Sequence, residues 1–122
     1  MKFSDGFWLN KPGYDITYAV EPYELYVRDG RICVVATGEV IESRGQTLGG
    51  PVLDISFAST HENTIQVTIE HFKGQKERGP AYVLYEDEAF CPVTVETDEY
   101  AELISGQTKV RVYKGRAGRV EY

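Results

Sequence analysis

The stretch from Tyr23 to Ala36 alternates in polarity about a central Asp29-Gly30, and this pattern limits the possible folds more than any other. Asp-Gly suits a two-residue type I′ turn, in which both central residues need positive φ. Such a turn pairs Val27 with Ile32, Leu25 with Val34 and Tyr23 with Ala36, all on one apolar face. Glu24, Tyr26, Arg28, Arg31, Cys33 and Val35 fall on the other face. A slip of one residue would exchange the faces, so the clean split specifies the register. The arrangement has a local cost. Arg28 and Arg31 stand opposite each other, and only Asp29 is at hand to soften the repulsion.

The same period recurs along the chain. From Pro51 to Ala58, Leu53, Ile55 and Phe57 alternate with Asp54, Ser56 and Ala58. A polar loop from Ser59 to Asn63 follows, and then Ile65, Val67, Ile69 and His71 alternate with Gln66, Thr68, Glu70 and Phe72. Pro51 lacks a ladder donor and fits the start of a strand. A third hairpin is expected to turn on Ser105-Gly106, with Glu102 opposite Lys109 and Tyr100 opposite Arg111. Ala101, Leu103, Val110 and Val112 then lie on its inner face. Residues 38–50 and 73–81 are rich in glycine and charge and read as loops. No window of a dozen residues holds a helical period, and there is no internal repeat. Hairpins with one apolar face each need cover, which predicts an all-β fold, an antiparallel β-sandwich formed as one domain over residues 1–122. A closed barrel is the alternative. Arg119 to Tyr122 reads as the opening of a further strand, so the chain is expected to be a piece of a longer polypeptide.

With 42% hydrophobic residues, the 122-residue chain has the composition of a globular domain rather than a disordered one. Nine tyrosines and five phenylalanines add to the preference for strands. The net charge of −6 argues against nucleic-acid binding, which needs a cationic face. Charge is also unevenly placed. Residues 79–108 hold no Lys or Arg, whereas Lys109, Arg111, Lys114, Arg116 and Arg119 crowd the C-terminal end. Neutralisation across neighbouring strands is the expected outcome. The two cysteines, Cys33 and Cys91, make no disulfide framework and read as reduced thiols, which points to the cytoplasm. Residues Met1 to Asn10 carry no long apolar run, so no signal peptide, membrane span or lipid anchor is expected, and the sequence holds no glycosylation sequon.

The residues that could carry chemistry have weak settings. His61 and His71 belong to no His-x-His, Cys-x-x-Cys or His-Glu-x-x-His motif, so no metal is expected. Cys33 and His71 fall within predicted strands and lack a nucleophile signature. Glycosidases use paired carboxylates, but Glu86-Asp87-Glu88 and Asp98-Glu99 are sequence neighbours. Neighbours on a strand point to opposite faces and cannot converge on one substrate. Gly49-Gly50-Pro51 lacks the lysine and helix of a phosphate loop, and the run from Lys114 to Arg119 reads as a turn. Trp8, Tyr14, Tyr18, Tyr23, Tyr26, Tyr82 and Tyr85 could stack on sugar rings, although filling the core or its rim is the favoured reading.

Several short stretches, in order along nearly the whole chain, carry a family resemblance. They are Met1-Lys2-Phe3-Ser4-Asp5-Gly6-Phe7-Trp8-Leu9 with Pro12-Gly13, Ile69-Glu70-His71-Phe72-Lys73-Gly74 with Gly79-Pro80 and Tyr82, and Tyr100-Ala101-Glu102-Leu103-Ile104-Ser105-Gly106 leading into Val110-Arg111-Val112 and Lys114-Gly115. Together they resemble the start of bacterial α-xylosidases of glycoside hydrolase family 31. The stretch from Arg44 to Gly50, Gly-rich and without an aromatic, departs from that pattern. The resemblance implies an N-terminal β-sandwich related to galactose mutarotase, cut before a (β/α)₈ barrel that carries both catalytic aspartates of a retaining α-glycosidase. It assigns no catalytic residue, metal or cofactor to this chain. Expected partners are the catalytic barrel of the same polypeptide and the carbohydrate substrate of the whole enzyme, with no nucleic acid and no membrane. An uncovered sandwich edge would also favour a homo-oligomer. The alternatives are a carbohydrate-binding module and a structural or oligomer-forming module.

Overall fold

The structure is a computed structural model that describes residues 11–14, 16–71, 82, 87, 89–115 and 118–122. Trp8, Phe72, Tyr85, Glu86, Glu88, Arg116 and the expected loop at 73–81 lie outside the described residues. Strands β1 (Glu21–Arg28), β2 (Arg31–Thr37), β3 (Val52–Ala58) and β4 (Gln66–Glu70) form one antiparallel sheet in that order. Strands β5 (Val93–Glu96), β6 (Tyr100–Ser105), β7 (Thr108–Tyr113) and β8 (Val120–Glu121) form the second. The segment before β3 holds a single 3₁₀ turn at Arg44–Leu48. There the Gln46 side chain accepts the backbone N–H groups of Glu42 and Ser43, both at 2.8 Å.

The β1–β2 turn forms as the Asp-Gly signal requires, with φ of 53° at Asp29 and 68° at Gly30. Val27 faces Ile32 and Leu25 faces Val34. The expected pairing of Tyr23 with Ala36 does not occur. A bulge between Pro22 and Glu24 places Pro22 opposite Ala36 and leaves Tyr23 without a partner, 70% exposed. A bulge and a proline are both tolerated because β1 is an edge strand.

The β6–β7 turn is centred one residue later than expected, on Gly106-Gln107. Only Gly106 has positive φ, at 60°, the pattern of a type II′ turn. Glu102 therefore faces Arg111 and Tyr100 faces Tyr113, with Lys109 opposite Ile104. Moving the turn by one residue moves the pairing by two, so each side chain keeps its face. Ala101, Leu103, Val110 and Val112 are accordingly all buried, as the alternation requires.

The two sheets meet face to face through one shared core. Ile32, Val34, Ala36, Leu53 and Phe57 come from the first, and Ala101, Leu103, Val110 and Val112 from the second. Leu25, Val27, Ile55 and Ile65 pack on its margin. The core thins toward β4. Val67 and Ile69 pair with Phe57 and Ile55 and share their face, yet Ile69 is 62% exposed.

A polar interlock joins the sheets at one end. Ser59 and Ser105, both buried, lie 2.9 Å apart through their hydroxyl oxygens. Both hydroxyls reach the carbonyl of His61, at 2.8 and 2.9 Å, and Ser105 Oγ accepts the Thr64 N–H at 3.3 Å. Asn63, at φ 61°, donates its backbone N–H to Ser105 O and accepts the Gln107 N–H at Oδ1, 2.7 Å away. These bonds keep Ser105 inside β6, which is why the turn cannot start there.

The interlock makes a graded prediction for its glycines. Gly30→Ala, where a methyl group meets open space, should cost about 1–2 kcal/mol for the left-handed backbone alone. Gly106→Ala should cost clearly more, because the same methyl would stand 2.3 Å from Asn63 Oδ1. Urea unfolding of the two variants checks this, and equal losses would contradict the interlock. Leu103→Ala, at a fully buried site, should cost about 2–5 kcal/mol in the same assay.

Candidate functional site

The outer face of the β1–β4 sheet carries the polar half of each strand. Across the four strands the register aligns Tyr26, Cys33, Ser56 and Thr68 in one row. Arg28 and Arg31 stand opposite each other next to the β1–β2 end of this row, and Asp54 and Glu70 stand opposite each other on the far side, on β3 and β4. The row lies at the bottom of an open depression of about 410 Å³. Arg28 lies over the Tyr26 ring, 5.8 Å from its centroid, and reaches Asp29 at 3.9 Å. A smaller, more apolar depression of about 210 Å³ lies on the same sheet between Tyr23, Ile41, Pro51 and Val52.

The outer face of the second sheet is occupied by its own charges. Glu102 Oε2 accepts Arg111 Nε at 2.8 Å and Nη2 at 2.7 Å, with Lys109 Nζ at 3.8 Å. Arg111 also lies over the Tyr100 ring at 4.3 Å. The Tyr113 hydroxyl donates to Glu121 at 2.9 Å, and Glu121 pairs with Arg119. The acidic stretch and basic tail thus neutralise each other across strands, as expected. Tyr113 and then Glu102 hold the Arg111 guanidinium above its ordinary value. The Tyr113 hydroxyl, followed by Arg119, holds the Glu121 carboxyl below the usual range.

Glu96 connects the sheets. Its Oε1 accepts Lys114 Nζ at 2.8 Å, and its Oε2 accepts the Val27 N–H of β1 at 3.1 Å. The Lys114 bond, followed by the Val27 bond, holds its carboxyl below the usual range.

The other residues singled out in the sequence do not converge. His61 sits in the β3–β4 loop with Nδ1 3.2 Å from Thr60 Oγ1, and His71 is exposed just past β4. Cys33 is half-buried on β2, Cys91 is exposed before β5, and both are free thiols. Asp98 and Glu99 occupy the β5–β6 turn, where the Thr97 hydroxyl accepts the N–H of Glu99 and of Tyr100. Asp87 accepts the Ala89 N–H. Among the described residues, no group of three or more His, Cys, Asp or Glu side chains could hold a metal ion. No helix among them is long and apolar enough to cross a membrane.

The aromatic residues correct an expectation. Tyr14, Tyr18, Tyr23 and Tyr82 are exposed and Tyr26 is half-buried, so none of these five fills the core. Among the described residues the core is aliphatic apart from Phe57. Alternation explains Tyr26, which falls on the polar face, and the bulge explains Tyr23. Ser56, Thr68 and the Asp54–Glu70 pair were not singled out in the sequence, because they meet only through the β3–β4 register.

Comparison with known proteins supplies the context for this fold. The chain is 34% identical over 110 residues to the α-xylosidase XylQ of Lactiplantibacillus pentosus. The chain is homologous to a segment of α-xylosidases. That match takes in 90% of this chain and 14% of the relative. An α-xylosidase of Emericella nidulans is 25% identical over 112 residues, again over 14% of its own length. The chain therefore spans about one seventh of the curated relatives it matches, and the resemblance read from its motifs is borne out. No family profile matches the chain.

The carboxylate shifts predict acid sensitivity. Glu96 and Glu121 are both lowered in the folded state, so their stabilisation is fully present above the ordinary value of 4.5 and is lost as pH falls through the folded values. Unfolding free energy should therefore decline as pH drops from about 5 toward about 2. Glu96→Gln should flatten that decline, and an unchanged profile would show that the Lys114 and Val27 bonds contribute nothing.

Proposed function

We propose that this chain is a non-catalytic N-terminal domain, galactose mutarotase-like in fold, of an α-xylosidase-type glycoside hydrolase. The observation that carries this reading is the 34% identity spread over 90% of the chain, matched to only 14% of an α-xylosidase. Such coverage is what a domain within a larger enzyme gives, and the remaining six sevenths has ample length for a catalytic barrel. The described residues agree with a supporting role. Among the described residues Glu96, Glu102 and Glu121 are held in ion pairs, and Asp98 and Glu99 lie in the β5–β6 turn.

Packing on the barrel of the same polypeptide is supported by the apolar flank at β4, where Val67 and Ile69 lie open on the core-side face. The same flank could take a second copy of the chain, the homo-oligomer reading. Hydrolysis of α-xylosidic bonds belongs, in this proposal, to the whole enzyme, and the domain shapes the approach to its substrate. The free thiols of Cys33 and Cys91 support a cytoplasmic setting.

The test is an assay of α-xyloside hydrolysis. This chain alone should release no sugar, whereas the polypeptide encoded by the uninterrupted source gene should. A reading frame that closes directly after Tyr122, or hydrolysis by this chain alone, would defeat the proposal.

A further inference from the structure

Among the described strands, β1, β4, β5 and β8 are the edges of the two sheets. Three of them are blunted. β1 carries a bulge and Pro22, and its Val27 N–H is taken by Glu96. The same bond holds β5 beside β1, and β8 has only two residues. β4 differs. Its residues, Gln66-Val67-Thr68-Ile69-Glu70, are all exposed and include no proline, glycine, lysine or arginine. No described strand pairs with its outer edge. Prolines, bulges, lysines and short length are the usual guards of an edge. A strand without them offers a row of backbone donors and acceptors to another strand.

The apolar side of this flank is uncovered as well. Val67 and Ile69 lie on the core-side face with Phe57 and Ile55. On the second sheet Val120 pairs with the buried Val112 and is exposed too. A gap of about 70 Å³ reaches in among Ile55, Phe57, Val112 and Val120. A strand added to β4 therefore gains backbone pairing and apolar contact together.

The sequence of β4 selects the occupant. Antiparallel pairing with a second copy, about a two-fold axis through Thr68, uses every residue of the strand. Val67 then meets Ile69, Gln66 meets Glu70, and Thr68 meets Thr68. Branched apolar residues pair on the core side, threonines pair on the outer side, and no like charges stand opposite each other. A shift of one residue would set core-side positions against outer ones. A shift of two would leave only the central or terminal three residues of β4 in the ladder. A two-fold contact uses the same patch on both copies and closes at two.

We propose that β4 is a self-pairing edge through which two copies of this chain join their four-stranded first sheets into one continuous sheet. The proposal deepens the second-copy reading of the β4 flank given above and rests on it. It does not rest on the α-xylosidase assignment.

Sedimentation velocity from about 10 μM to about 1 mM tests the pairing. A monomer–dimer equilibrium is expected, with no larger species. Gln66→Glu sets a second carboxylate opposite Glu70 twice in each dimer and should weaken it about fivefold. Gln66→Lys should strengthen it by a similar factor. Both changes fall at an exposed position on the outer face and leave the core side untouched. Cross-linking reads the register, in a chain carrying Cys33→Ser and Cys91→Ser. Opposed residues of antiparallel strands stand about 4.5–5.5 Å apart at Cα, within reach of a disulfide. Mild oxidation should link Thr68→Cys into a covalent dimer. Gln66→Cys, about 14 Å from its own counterpart in this register, should stay unlinked.

The pairing is overturned if the chain stays monomeric to about 1 mM, or if association continues past two copies. It is equally overturned if the two Gln66 variants do not shift the equilibrium in opposite directions, or if Gln66→Cys links as readily as Thr68→Cys. A monomer, with hydrolysis by the longer polypeptide, would remove the pairing and leave the domain assignment standing. A dimer without such hydrolysis would do the reverse.

Discussion

Two small sheets can share one core only if something holds their faces in register, and here the interlock around Ser105 does so. The Ser105 hydroxyl, from the second sheet, is met by the Ser59 hydroxyl and the His61 carbonyl at the end of the first. Buried polar groups left unpaired cost about 1–3 kcal/mol each, so separating the sheets at this end is penalised beyond the loss of apolar contact. Among the described residues, no buried side-chain oxygen or nitrogen lacks a partner. Around this fixed end the aliphatic core from Ile32 to Val112 closes. Toward β4 it stays open.

Charge is organised on the same plan. Glu102, Arg111, Tyr113 and Glu121 form a connected chain of bonds on the outside of the second sheet, so the acidic and basic stretches cancel within one surface. Glu96 extends the pattern between sheets by accepting an edge-strand N–H from β1. An edge N–H occupied in this way is unavailable to a foreign strand, which offsets part of the risk that edges carry. The outer face of the first sheet is arranged differently. There Arg28 stands opposite Arg31 and Asp54 opposite Glu70 across strands.

That contrast gives the two sheets different outer surfaces. The first sheet has an open depression on its outer face and an apolar flank at β4. An apolar flank favours a permanent protein neighbour.

Local chemistry made much of the fold legible. Asp29-Gly30 has one comfortable backbone, so the first hairpin and its faces could be read directly, and period-two alternation named the core residues of β2, β3, β6 and β7. The Tyr23 bulge was hidden because it depends on where the edge strand meets its neighbours. The β6–β7 turn was misplaced by one residue because Ser105 is held inside its strand by a loop more than forty positions away. The outer face of the first sheet was only half visible: the Arg28–Arg31 pairing follows from a two-residue turn, but the Asp54–Glu70 pairing needs a register set across a longer loop. The sequence by itself determined which side of each strand is apolar, since side-chain direction alternates with the backbone whatever the partner. Only the tertiary structure decided which residues meet across strands and between sheets, because those meetings depend on loop closure and shared burial that no short stretch of chain encodes.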